Sequence, residues 1–173
     1  EAIALLILKG IPPEELAAVE YCETADSEGI YRKYSIFRIG NSYLPRHEIF
    51  SQKWDLKYPD LLEPAMIAEE MSFLKTDPHQ QECRMIFDIA RIDYGRIDYG
   101  LRDGKLEVWE INTNPIVMMP PQNYDEVHIP AQEWFAARVE KAFEELAAGL
   151  PDREPARVIF DSELIRKIIT DIE

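Results

Sequence analysis

Apolar and polar positions follow two different periods along this chain. Tyr31–Ile39 is rich in aromatic and branched residues and alternates in polarity, as does Tyr43–Phe50. Gly40-Asn41 between them predicts a β-hairpin. A shorter strand is expected over Ala17–Cys22, ahead of a polar turn at Thr24–Gly29. Two more strands, Arg96–Leu101 and Leu106–Ile111, flank Asp103-Gly104.

Elsewhere the period is helical. Residues 1–9 form a short helix that Gly10, Pro12 and Pro13 break. After Pro64, Ile67, Met71 and Leu74 fall on one face, and from about His79 a second helix places Cys83, Ile86, Phe87 and Ala90 on one stripe. Ser51–Asp60 reads as a loop, and Pro115–Pro130 as a long one. Ala131–Ala148 is a helix with Phe135, Val139, Ala142 and Leu146 inward, stopped at Gly149-Leu150-Pro151. A last helix begins near Ser162, capped by Asp161 or Ser162. Strands arriving as hairpins rather than as βα units predict an α+β fold, with an antiparallel sheet flanked by helices.

Composition narrows the classes. The 173 residues suit one domain, and 46% hydrophobic content suits a globular chain. The longest apolar run, Ile3–Leu8, is too short for a membrane span. A formal charge of −14 argues against nucleic acid as partner and is compatible with a metal cation. Cys22 and Cys83 form no zinc-type cluster; a structural disulfide is one reading of them, and two buried free thiols in a reducing cytoplasm the preferred one. The seven glycines form neither a dinucleotide-binding fingerprint nor a P-loop.

The densest chemistry lies between Arg96 and Pro115. The pentapeptide Arg-Ile-Asp-Tyr-Gly occurs twice in succession, at residues 91–95 and 96–100. The repeat is too short to be a structural one. Glu110 and Asn112 share a strand face. A two-residue Asp103-Gly104 turn would set Asp98 beside Trp109, away from Glu110. A three-residue loop, Arg102-Asp103-Gly104, would pair Leu101 with Lys105 and put Arg96, Asp98, Glu110 and Asn112 on one face. It would leave Ile97, Tyr99, Trp109 and Ile111 on the other. The second register sorts apolar from polar better and is preferred. Two carboxylates and an amide oxygen then suit Mg²⁺, which takes few protein carboxylates and completes its shell with water and phosphate. A solvated charged hairpin face is the alternative.

The same residues, with the ending Glu110-Ile111-Asn112-Thr113-Asn114-Pro115, resemble the metal-binding end of the ATP-grasp superfamily. That resemblance implies Asp98, Glu110 and Asn112 as ligands of Mg²⁺ (or Mn²⁺) carrying ATP. Asp93 falls where the family has a turn and is not a ligand. Ala18-Val19-Glu20-Tyr21-Cys22 resembles the family's adenine hinge, implying main-chain contacts at Glu20 and Cys22. Glu28 is a candidate for the ribose hydroxyls, and Arg96 for a phosphate oxygen or for pairing with the acid. Arg32-Lys33-Tyr34 and Phe37-Arg38-Ile39-Gly40 resemble the strand after the hinge, where a basic residue often reaches phosphate or substrate. Arg38, Arg46 and His47 are candidate anion-binding groups. Asn114 either helps to position the acyl phosphate or acceptor, or caps the loop before Pro115. The loop carrying Met118, Met119, Tyr124 and His128 could cover the site.

The resemblance covers about residues 11–116. It implies that residues 1–150 are the C-terminal lobe of an ATP-grasp unit, with 151–173 as a helical extension. The family's upstream lobe, with its phosphate-binding lysines and glycine-rich lid, has no counterpart here, so the lobe alone is expected to be inactive. Within a longer enzyme the expected reaction is ATP-dependent carboxylate–amine or carboxylate–thiol ligation through an acyl phosphate. A kinase of the same fold, or a non-catalytic nucleotide- or metal-binding interaction domain, are the alternatives. The implied partners are a nucleotide and a small carboxylate or peptide-like substrate, with neither nucleic acid nor membrane. A homodimer is left open.

Overall fold

The computed structural model describes residues 2–16, 19–118 and 125–150. Its elements run α1 (Ala2–Leu8), β1 (Tyr31–Ile39), β2 (Ser42–Ser51), α2 (Pro64–Thr76), α3 (Gln80–Ala90), β3 (Tyr94–Arg102), β4 (Lys105–Asn112) and α4 (Ile129–Ala148). The four strands make one sheet in the order β2-β1-β3-β4, with every neighbouring pair antiparallel. This is the α+β architecture that the alternating segments predict.

Ile36 and Phe37 are neighbours in sequence and therefore point to opposite faces of the sheet. Ile36 joins Tyr34, Ile97 and Tyr99 against Phe73 and Leu74 of α2 and Cys83 and Phe87 of α3. Phe37 and Ile39 meet Leu44 and, from α4, Phe135, Val139 and Ala142. Each side chain fully buried in this way contributes about 1.5–3 kcal/mol. α4 thus covers its face of the sheet near the β1–β2 turn, and the polar face beyond that cover is where two clefts lie.

Two bulges decide what reaches that face. The β3–β4 turn is the two-residue Asp103-Gly104, with φ of 52° and 74°, and Arg102 pairs with Lys105. The preferred three-residue loop is therefore not formed, because both turn residues take the left-handed backbone of the tight hairpin turn. The register then shifts at the other end: Tyr99 pairs with Val108, but Asp98 pairs with Glu110, leaving Trp109 as the extra residue. Asp98 and Glu110 meet as the expected face assignment required, but a bulge brings them together rather than the loop. Trp109 does not join Ile97 and Tyr99. Its ring lies over Gly100, where an added Cβ would sit 2.6 Å from Trp109 Cζ2.

In β2, Ser35 of β1 pairs with His47 while Ile36 pairs with Pro45, so Arg46 is bulged. Pro45 has no N–H to give the ladder, which suits a bulge on an edge strand. The bulge lets Arg46 and His47, adjacent in sequence, line one cleft.

Several local expectations give way to packing. Residues 19–22 carry no regular structure, so the described part of the expected strand Ala17–Cys22 does not pair. On α2 the fully buried side is Met66, Glu70, Phe73 and Leu74, rotated from the expected stripe because Glu70 turns inward to His128. Ala90 is exposed at the end of α3, and Leu146 is 39% exposed where it passes over Gly40. The expected helix from Ser162 and the extension 151–173 lie outside the described residues, as do Ala18, Met119 and Tyr124.

Candidate functional site

A row of Cα partners crosses all four strands: His47 of β2, Ser35 of β1, Asp98 of β3 and Glu110 of β4. Arg96 and Asn112 pair in the same way next to it. This polar row floors a cleft of about 570 Å³, walled by Lys33, Arg46, Lys57 and the described ends of the proline-rich loop at Ile116, Asp125 and His128.

Asp98 is only 5% exposed and is heavily engaged. Arg96 donates to both of its oxygens, Nε to Oδ1 at 2.7 Å and a terminal nitrogen to Oδ2 at 2.9 Å. Ser35 Oγ donates to Oδ1 at 2.7 Å, and Lys33 Nζ stands 4.0 Å from Oδ2. Burial holds the Lys33 ammonium below its usual range, with Asp98 pulling the other way. His47 Nε2 lies 2.7 Å from Ser35 Oγ. Its burial, aided by the cations Arg46, Lys33 and Arg96, lowers its pKa well below the usual imidazole value. Ser35 stands between His47 and Asp98 and is fully buried, so the three do not form a nucleophilic triad.

A second carboxylate–imidazole pair sits at the α4 end. Glu70, 1% exposed, accepts from His128 Nδ1 at 3.1 Å, which raises the His128 pKa despite burial.

The donor set Asp98, Glu110 and Asn112 is all oxygen and shares one face. Among the described residues no three His, Cys, Asp or Glu side chains gather as a metal group. A cation here would have two carboxylates and one amide, so ligand oxygens would have to complete its shell, as Mg²⁺ prefers. Asn112 Oδ1 already accepts the Asn114 N–H at 2.9 Å, so Asn112 caps this turn and Asn114 meets it through its backbone. The set fits a hard divalent ion once Arg96 yields an Asp98 oxygen.

Next to this lies a cleft of about 540 Å³ lined by Glu20, Tyr21, Cys22, Tyr31, Trp54 and Trp109. The loop between β2 and α2 borders both: Leu56 faces this cleft and Lys57 the polar one. Tyr21 and Trp54 meet edge to face at 6.1 Å, and Tyr21 and Tyr31 hydroxyls are bonded at 2.8 Å. The walls suit a planar ring. Gly100→Ala is expected to displace the Trp109 indole, lowering stability by about 1–3 kcal/mol. A shift in tryptophan emission reports the displacement; unchanged emission and stability would refute this contact.

The structure thus brings Asp98, Glu110, Asn112, Arg96, Arg46 and His47 to one cleft and Glu20 and Cys22 to the other. It sets three candidates elsewhere. Arg38 points to the α3 side of the sheet, where it donates to Gly40 O and pairs with Asp88 and Asp93. Lys33, of opposite strand parity, is the basic residue of β1 that reaches the cleft. Glu28 is exposed in a turn, its N–H bonded to Asp26, and lines neither cleft. The side chain of Asn114 lines neither cleft. Ser35, Lys57 and Glu70 were missed. Strand parity relative to Asp98 could have found Lys33; nothing local marks Ser35 or Glu70.

No family model matches the chain, and no curated protein or solved structure does either. Among the described residues no helix is long and apolar enough to cross a membrane.

Proposed function

We propose that this chain is the Mg-ATP-binding lobe of an ATP-dependent ligase of the ATP-grasp type, joining a carboxylate to an amine or thiol through an acyl phosphate. The observation that carries this reading is Asp98 directly opposite Glu110, with Asn112 beside them on one polar face. The adjoining aromatic cleft, bordered by Glu20 and Cys22, supports it by offering a seat for the base. In this reading Lys33 and Arg96 hold phosphate oxygens, while Arg46 holds an anionic group of the small carboxylate or peptide-like substrate and His47, a neutral imidazole beside it, lines the same wall. Mg²⁺ or Mn²⁺ on Asp98, Glu110 and Asn112 would neutralise charge on the transferred phosphoryl group. The lobe works with an upstream lobe that supplies further phosphate contacts, and free thiols at Cys22 and Cys83 suit a cytoplasmic setting.

Mg-ADP is expected to raise the melting temperature, by an amount equivalent to about 2.7 kcal/mol at a hundredfold excess over Kd. Asp98→Ala/Glu110→Ala should abolish the rise. No Mg-dependent rise at millimolar nucleotide would overturn the reading. A rise that persists undiminished in EDTA would instead favour a metal-free anion-binding module, the reading to which the closed Arg96–Asp98 pair points.

A further inference from the structure

Asp98 accepts hydrogen bonds from two kinds of partner, with the Lys33 ammonium a looser third at 4.0 Å from Oδ2. Arg96 comes from its own strand, two residues away, on a long side chain that is 18% exposed. Ser35 comes from the neighbouring strand, directly opposite, and is completely buried. A serine hydroxyl has one proton. Ser35 gives it to Asp98 Oδ1, so it can only accept from His47. His47 therefore carries its proton on Nε2, and the polar row becomes a directed chain: His47 Nε2–H to Ser35 Oγ–H to Asp98 Oδ1.

Asp98 Oδ1 already accepts two hydrogen bonds, from Arg96 Nε and Ser35 Oγ, so a cation that takes this oxygen must displace one of them. Displacing Arg96 costs one flexible side chain that can swing into the cleft and meet an anion there. Displacing Ser35 would strand a buried hydroxyl and, behind it, the N–H of a half-buried imidazole. The two arms are thus unequal by construction.

We propose that Ser35, backed by His47, is a positioning residue that keeps its grip on Asp98 Oδ1 while Arg96 is exchanged for a divalent cation. This rests on the functional reading above and adds to it which contact is permanent and which is given up. The carboxylate is oriented from beneath by the sheet, and the exchangeable arginine serves as a placeholder that is freed to reach phosphate when the cation arrives. Outer partners of this kind commonly change metal affinity by about 10–100-fold when removed.

The test uses the full chain labelled with ¹⁵N, with Mg²⁺ alone and Mg-ADP as probes. In the parent, Mg²⁺ alone should accelerate solvent exchange of the Arg96 Nε–H, and Mg-ADP should slow it again as the guanidinium meets phosphate, while the His47 Nε2–H stays protected throughout. Ser35→Ala should weaken the Mg²⁺ dependence of ADP binding about tenfold and leave metal-free ADP affinity unchanged. His47→Gln, which keeps an N–H donor for Ser35, should retain most of the parent's Mg²⁺ dependence. A purely structural serine would lower both affinities together, and that outcome overturns the proposal. So does loss of His47 protection on adding Mg-ADP, a reading taken on the parent even if Ser35→Ala does not fold. Absence of any Mg-ADP response in the parent overturns the functional reading and this proposal together. A parent-like Mg²⁺ dependence in Ser35→Ala overturns the positioning role alone.

Discussion

Phe135→Ala is expected to remove about 3–5 kcal/mol of folding stability and to weaken anion binding in the polar cleft. Phe135 is completely buried at the centre of the α4 contact with the sheet, its ring 5.4 Å from that of Phe37. Its truncation loses the transfer free energy of the ring and leaves a void that Val139 and Ala142 cannot fill without moving the helix. The second effect follows from Arg46, whose guanidinium carbon lies 4.6 Å above the Phe135 ring. That cation–π seat holds the bulged arginine at the cleft wall. Urea unfolding followed by circular dichroism reads the first effect, and phosphate binding by calorimetry the second. Phe143, 41% exposed, is the control: its alanine variant should lose far less. A Phe135→Ala loss below about 1 kcal/mol would mean that α4 is not anchored there.

The stability that Glu48 contributes should also be lost as pH rises from about 4.5 to about 8, so the parent should lose ground to Glu48→Gln across that range. Glu48 is 2% exposed and pairs with Tyr34 on the face of the sheet that packs against α2 and α3. Burial pushes its carboxyl up to about 8 from 4.5, and the neighbouring Glu69 carboxylate adds to the push. Asp26, Glu48 and Glu69 gather round the single guanidinium of Arg32, which pairs with Glu69 at 2.8 Å but reaches Glu48 only at 3.7 Å. The folded state therefore holds a proton that the unfolded chain releases at lower pH. Its contribution is complete below about 4.5 and lost as pH passes about 8. At about 1.4 kcal/mol per unit, the difference between parent and Glu48→Gln should grow to roughly 2–4 kcal/mol above pH 8. His47, next in sequence but facing the cleft, has the opposite sign. Its lowered pKa gives stability that is present above about 6.5 and lost as pH falls. Denaturant midpoints from pH 5 to 9 check both; a gap that does not widen with pH would refute the Glu48 assignment.

The sheet was legible because Tyr31–Ile39 and Tyr43–Phe50 carry period-two patterns strong enough to survive packing. Its polar face was legible because Asp98, Glu110 and Asn112 keep the parity that one face requires. What failed was bookkeeping of single residues. Trp109 fits an apolar stripe in the sequence, yet the space above Gly100 draws its ring to the other side, and the ladder absorbs the mismatch as a bulge. The same applies to Arg46, bulged beside Pro45. Arg38 resembled an anion-binding residue, but Asp88 and Asp93 claim it on the α3 side of the sheet. Glu70 carries no local sign of burial, because its partner His128 arrives from 58 residues away.

The duplicated pentapeptide makes the central pairing degenerate. Residues 96–100 lie wholly within β3, whereas 91–95 begin with the left-handed cap of α3 at Arg91 and enter the strand only at Tyr94. If the chain slid by five residues, Arg91, Ile92, Asp93, Tyr94 and Gly95 would take the places of Arg96 to Gly100, with identical side chains on identical faces. Hydrogen bonding and patterning within that stretch could not distinguish the two alignments. The discrimination comes from outside it. Sliding would unwind the end of α3 and pull fully buried Phe87 and Cys83 from the core. α3 thereby acts as a ratchet pawl for the strand that follows it, selecting which of two equivalent aspartates faces Glu110.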